Sequence, residues 1–272
     1  FNSKEIVNYG LNCFFSGKLF FSNLIESLKC QKVFYSDNGI LKCIPYSCNI
    51  KKIKSFEVQH GAAPGSTRMT YPKSDKLFLN KNNCYYSDYL LLWSKYWKNI
   101  YSTPSKFIVT GTYNYIDKCD HLDNILFISS KVHNFYLSSF AKGLSNALPN
   151  KKIFFKLHPE QFYELSKIKE DFKFHSNVTV ITDEISNNKL LQYSSDFVAI
   201  QSSLVYQALQ SGCRGHIINL RNGLNDDQEV FKYCSQSSNV NELLQNLNKK
   251  TKQSTCPIFY EKLNMKSLEN YL

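Results

Sequence analysis

Between residues 124 and 220 the chain repeats one pattern: a short, uninterrupted apolar run, a turn signal, then a stretch of helical character. The apolar runs are "NILFISS", "KKIFFKLHP", "NVTVIT", "DFVAIQSS" and "GHIINL". A strand that is apolar at nearly every position has no face to offer water. It belongs in a sheet covered on both sides, and helical crossovers between such strands make that sheet parallel. The connecting stretches fit. Residues 133–147 are closed by "LPN", residues 160–170 follow Pro159, "NNKLLQYS" is a short helix, and "LVYQALQSG" stops on Gly212. The class is α/β with a doubly wound parallel sheet.

The first half predicts four further strands, in "KVFYSDNG", "KSFEVQHG", "YLLLWS" and "KFIVTGT", followed by the polar stretch "YNYIDKCDHLD". The expected organisation is two Rossmann-like domains, residues 1–115 and 116–272, with a cleft between them. Beyond Leu220 the pattern fades. "NGLNDDQEVF" reads as a loop near the cleft and "PIFYEKLNMKSLENYL" as a closing helix.

Composition narrows the function. Lys and Arg total 33 against 22 acids, a formal charge of +11. That balance fits a polyanionic partner or an anionic membrane face, and equally a lysine-rich solvated exterior. The 18 Tyr and 20 Phe among these lysines raise a nucleic-acid-binding alternative. They fall inside strand and helix patterns, where core packing explains them, so no nucleic-acid partner is expected. The nine cysteines are odd in number and include no C-x-x-C pair, which reads as free thiols in a reducing compartment. There is no secretory signal pattern and no apolar run of about 18 residues. The chain begins at Phe1 rather than Met, which reads as a segment of a longer protein.

In parallel sheets, ligands bind beyond the carboxyl ends of the strands. Three motifs fall there. Ser202-Ser203 follows "FVAIQ" and opens a helix. Hydroxyls and free N–H groups at a helix start form a phosphate site, although a plain N-cap uses the same residue types. His158-Pro159 follows "IFFKL". The proline stops the strand and holds the imidazole at its tip, where it donates to a phosphate or simply satisfies a loop. Lys156 alternates to the same face and adds a positive charge. His60 follows "FEVQ", and Gly61 and Gly65 leave room for a close approach in "QHGAAPG". An imidazole of ordinary pKa ~6.5 there suits a general base, and a structural turn is the other reading. Ser129, at the end of "NILFIS", joins the donor-binding set by its place at a strand end. The histidines at 121, 133, 175 and 216 read as surface or core residues.

The series "VQHGAAPG", "LLLWSKYWKNIY" with "FIVTGT", "FFKLHPEQ" and "FVAIQSSLVYQALQSG" resembles GT-B glycosyltransferases of bacterial surface polysaccharide synthesis. It is similar to the clan of CDP-glycerol glycerophosphotransferases and bacterial sialyltransferases. The resemblance implies two Rossmann-like domains, with the donor nucleotide held by the C-terminal one. It places His158, Pro159, Ser202 and Ser203 at the donor phosphate and His60-Gly61 at the acceptor, with His60 as base. The nearest match to the acidic pair and glycine of the sialyltransferases is "SDNG", which keeps Asp37, the implied catalytic carboxylate, and Gly39 but has Asn38 between them. Gln207 stands where many GT-B enzymes carry a ribose-gripping glutamate. The implied function is transfer of a sialic-acid- or Kdo-type sugar, or of glycerol phosphate, from a CMP- or CDP-linked donor. The acceptor is a hydroxyl of a surface glycan or glycolipid, and the protein works in the cytoplasm in peripheral contact with the inner membrane. No Asp-x-Asp metal motif occurs, so neither a metal nor another cofactor is expected. A non-catalytic nucleotide-binding module of the same fold is the alternative.

Overall fold

A computed structural model describes residues 3–36, 42–61, 85–101, 103–130, 133–220, 230, 232–249 and 256–271. The chain forms two compact units, Phe1–Tyr113 with Glu261–Leu272, and Asn114–Tyr260.

The first unit runs α1 (Ser3–Ser27), β1 (Lys32–Ser36), α2 (Cys43–Ile50), β2 (Lys54–Val58), β3 (Tyr89–Leu92), α3 (Lys95–Ile100) and β4 (Lys106–Val109). Its four strands lie in sequence order in one parallel sheet. Leu90 and Leu92 are fully buried, as the apolar run "YLLLW" requires, and Phe56 stacks between Phe34 and Tyr89. The four strands stand where the apolar runs predict them. The 25-residue α1 has no counterpart in the sequence reading.

The end of the chain corrects an expectation. Residues 261–272 do not close the second unit as a helix. They pack on the first, with only a 3₁₀ turn at Met265–Leu268. Their backbone polar groups find partners at the ends of β3 and β4. Glu261 N–H donates to the Trp93 carbonyl at 2.8 Å and Asn264 N–H to the Thr110 carbonyl at 2.8 Å. Leu268 joins Phe56, Leu91 and Ile108 in the core. Gly111 makes the approach possible. Its φ is +72°, and a Cβ there would stand 2.3 Å from the Lys262 carbonyl oxygen.

The second unit runs β5 (Ile125–Ile128), α4 (Asn134–Ala147), β6 (Ile153–Lys156), a 3₁₀ turn (Pro159–Glu164) leading into α5 (Leu165–Asp171), β7 (Val178–Ile181), α6 (Asn187–Gln192), β8 (Asp196–Ala199), α7 (Leu204–Ser211), β9 (Arg214–Ile218), β10 (Cys234–Ser237) and α8 (Val240–Asn248). All six strands are parallel, in the order β10-β9-β8-β5-β6-β7. The four residues of β5 and of β8 are all buried, as uninterrupted apolar runs demand. The chain moves outward from β5 through β6 to β7, then returns to lay β8 on the other side of β5. The junction of β5 and β8 is therefore the topological switch point, where connections leave in opposite directions and a crevice opens above the sheet. The class is α/β, with two Rossmann-like parallel sheets, as the sequence predicts.

Candidate functional site

At the carboxyl ends of β8, β5 and β6, over the switch point, lies a cavity of about 390 Å³. Residues Ser129, Ser130 and His133 enter it after β5. Lys156, His158 and Pro159 enter it from β6, and Gln201, Ser202 and Ser203 after β8. The fold thus brings together the His-Pro motif, the serine pair, Lys156 and Ser129.

His158 is placed by its neighbours. Pro159 is the first residue of the 3₁₀ turn and ends the strand, while His158 stays extended at φ −68°, ψ 141°. The ring caps this turn, with Nδ1 accepting from the Glu160 N–H at 3.3 Å. An accepting Nδ1 assigns the neutral ring's proton to Nε2. That Nε2–H has no partner among the described residues. The turn is locked from below. Gln161 is 2% exposed, its N–H donates to the His158 carbonyl, and its Oε1 accepts the Ser129 hydroxyl at 2.6 Å. Ser129 therefore holds the turn with the proton it would otherwise offer a ligand.

Lys156 closes β6. Burial pulls its ammonium below the ordinary lysine pKa, and the carboxylates of Asp183 and Glu184 act in the opposite direction.

The two serines divide the work. Ser202 Oγ accepts from the Leu204 N–H at 3.3 Å and caps α7. Ser203 makes no side-chain capping bond, and its carbonyl accepts the Tyr260 hydroxyl at 3.1 Å. The N–H groups of Ser202 and Ser203 and the Ser203 hydroxyl have no partner among the described residues. They remain as donors at the positive end of α7.

Gln207 corrects the sequence reading. It is 7% exposed and lines no part of the cavity, and its Nε2 donates to the Asn114 carbonyl at 2.5 Å. The next turn of α7 does the same, as Gln210 bonds the Ile116 and Tyr260 carbonyls. Both glutamines anchor the two ends of this unit to α7, and the amide is not free for a ribose.

Two lining residues escape the sequence reading. His133 is only 6% exposed and precedes α4, yet its ring has no hydrogen-bond partner among the described residues. The Ser130 hydroxyl is buried without a partner. The available signal is position: "SSKVH" fills the turn between a buried strand and a helix, the kind of place that singled out His158.

In the first unit, His60 lies two residues past β2, exposed and with its ring unpartnered among the described residues. The clasp beside it is built by Gln59, which is 3% exposed. Its Oε1 accepts from the Trp93 N–H at 3.0 Å, and its Nε2 donates to the Tyr101 hydroxyl at 3.1 Å and the Gly61 carbonyl at 3.2 Å. Tyr101 in turn donates to the same Gly61 carbonyl at 3.2 Å. Buried amide and phenol thus fix the backbone on either side of His60 while the imidazole faces water. Asp37 and Gly65 lie outside the described residues.

His216 is a core residue, as the sequence indicates. Its Nε2 and the Arg214 guanidinium each stand 2.9 Å from the Asp196 carboxylate. Asp196 and Arg214 open β8 and β9, so this network sits at the amino ends of the strands, opposite the cavity. Among the described residues no group of three or more His, Cys, Asp or Glu is arranged to hold a metal ion.

No protein-family model and no curated protein sequence matches the chain. Solved structures do. The chain is similar to UDP-GlcNAc 2-epimerase from Methanocaldococcus jannaschii in complex with UDP-GlcNAc and UDP, with a TM-score of 0.55 and 14% identity, covering 94% of this chain and 78% of that one. A putative UDP-N-acetylglucosamine 2-epimerase from Listeria monocytogenes gives 0.55 and 12%, covering 87% and 71%. A mutant of S. aureus TarM in complex with fondaparinux, α-GlcNAc-glycerol and UDP gives 0.53 and 14%, covering 84% of this chain and 51% of TarM. At these identities the likeness is one of fold.

Proposed function

We propose that this chain is a GT-B glycosyltransferase that binds a nucleotide-activated donor in the cavity of the second unit. The observation carrying the reading is the His158 imidazole: it stands at a switch point, fixed by Pro159 and its Nδ1 bond, with Nε2–H free as a donor. With a sugar donor, an acceptor hydroxyl attacks the anomeric carbon and the bond from that carbon to the donor phosphate breaks. With a glycerol phosphate donor, it attacks the phosphorus bearing the glycerol and the bond to the nucleoside monophosphate breaks. In both, the hydroxyl proton goes to His60. Negative charge gathers on the departing phosphate. His158, the Ser203 hydroxyl, the N–H groups at the start of α7 and Lys156 are the groups that take it up. These groups do what a metal would otherwise do, so the reaction runs without one.

The sequence resemblance supports a cytidine-linked donor of sialic acid, Kdo or glycerol phosphate, with a surface glycan or glycolipid as acceptor. The solved neighbours in complex with UDP support a uridine-linked one. The charge of +11 supports peripheral contact with an anionic membrane face. No helix among the described residues is long and apolar enough to cross a membrane.

Thermal shift with CMP, UMP and GMP tests the site and identifies the base. One nucleotide raises the melting temperature of the wild type and fails to raise that of His158→Ala. No shift with any of the three overturns the reading. Likeness to the epimerases favours a second reading, inversion at a carbon of a bound UDP-sugar. Formation of an epimer from UDP-GlcNAc without any acceptor would select it.

A further inference from the structure

We infer that the groove between α4 and α5 is a second binding site, and that it takes a neutral oligosaccharide. The site goes beyond the nucleotide reading above and does not depend on it.

The groove has a volume of about 720 Å³. One side is a single face of α4, where Phe135, Ser138 and Lys142 follow one another at steps of three and four residues. The other side is the matching face of the Pro159 turn and α5, with Gln161, Glu164 and Asp171. A hydrogen bond divides the groove from the nucleotide cavity. Ser129 lines the cavity, Gln161 lines the groove, and the two are joined at 2.6 Å.

Gln161 points to a ligand. It is 2% exposed, its Oε1 is taken by Ser129, and its Nε2 has no partner among the described residues. Its two N–H donors therefore open on the groove from a side chain that water hardly reaches. On the facing side the Ser138 hydroxyl is 7% exposed and equally without a partner among the described residues. Buried polar groups are nearly always paired, and two exceptions lining one groove are left for a ligand.

The lining decides the class. It holds two cations, Lys142 and Lys167, and two carboxylates, Glu164 and Asp171. A polyanion gains from one pair what it loses to the other. The apolar members among the described residues are Phe135 and Ile168, too few for a lipid. A sugar hydroxyl donates and accepts at once, so ammonium, carboxylate, amide and serine all serve it. The apolar C–H face of the same ring covers Phe135, which is 82% exposed. The Lys142–Asp171 pair is 3.9 Å apart and partly exposed, weak enough to admit such hydroxyls. The volume lies within the ~300–1,000 Å³ of small-molecule sites and leaves room for more than one ring.

A glycan array read with the whole chain tests this. It carries neutral oligosaccharides, N-acetylated ones among them, and acidic ones. The protein is expected to retain neutral chains of two or more rings. For the glycan held most tightly, Phe135→Ala weakens binding about tenfold or more in solution titration. Ser138→Ala weakens it as well. Phe135 is too exposed for its loss to unfold the chain, and an unchanged melting temperature checks that. Retention of no glycan, retention of acidic glycans alone, or full binding by both variants overturns the inference. Saturating nucleotide leaves the glycan in place; displacement would put it in the cavity of Ser129 and overturn the inference too. A failure of every nucleotide to bind overturns the function proposed above and leaves this site standing.

Discussion

The Ser129 hydroxyl donates to Gln161 Oε1 at 2.6 Å, tying the loop after β5 to the turn that carries His158. Both residues are 2% exposed, so the bond is sheltered from water. It joins the middle of the sheet to its neighbour at the wall of the cavity, which predicts a positioning role for Ser129.

Ser129→Ala removes that donor and leaves the buried Gln161 oxygen unsatisfied. We expect a loss of about 1–3 kcal/mol in urea denaturation, together with weaker nucleotide binding as the His158 turn loosens. Unchanged nucleotide affinity in a destabilised variant would show that Ser129 has no positioning role.

His60→Ala tests the acceptor side. With the backbone on either side clasped by Gln59 and Tyr101, the variant keeps its local structure. Turnover is expected to fall by roughly 10²–10⁴, the usual worth of a general base, while nucleotide affinity stays within about twofold. Full turnover in the variant would remove His60 from the mechanism.

Under the proposed mechanism, in which His158, Lys156 and the start of α7 take up the charge of the departing phosphate, excess chelator leaves turnover intact. Complete loss of activity, restored by Mg²⁺ or Mn²⁺, would contradict this.

Asp196 links stability to acid. Burial pushes its pKa up, but hydrogen bonds from His216, Ser195 and Arg214 outweigh that and hold the carboxyl below its usual value. A depressed folded pKa gives stability that is fully present above the unfolded value of ~3.9. That stability is lost as pH falls through the folded pKa. Asp196→Asn leaves Arg214 and His216 without their charge partner and should cost about 3–5 kcal/mol at neutral pH. Its stability should then change less than the wild type's on acidification below pH ~4. Parallel acid limbs in urea titrations would exclude Asp196 as the source.

Thiol reactivity follows burial. Cys48 and Cys213 are fully buried, and burial pushes both thiols up to about 12. Under native conditions iodoacetamide should modify the exposed Cys13 and leave these two intact until the chain unfolds. Native labelling of Cys213 would mean that the base of β9 opens readily.

Much was readable in the chain itself. β5, β6 and β8 are built on apolar runs and are buried on both faces, whereas the edge strand β7 exposes Thr179 and β9 carries Arg214 and His216. His158 and the serine pair follow those runs directly, so their placement at strand ends came with the strands. The helix α8 left a weaker trace. Asn239 and Glu242 form a reciprocal cap, with Glu242 N–H donating to Asn239 Oδ1 at 2.9 Å, but β10 before it is the polar edge segment "CSQS" and carries no strand pattern.

Local residue order determined the strands, their parallel crossovers and the histidine and serines at their tips, because burial and backbone geometry act within a few residues. Tertiary structure alone decided that β8 returns to lie beside β5, and with it that Ser130 and His133 share a cavity with His158. It alone decided that Gln207 answers to the Asn114 carbonyl and that the last residues pack beside β4. Those outcomes rest on hydrogen bonds and contacts between residues far apart in the chain, where any buried donor takes whichever acceptor the assembled fold brings to it.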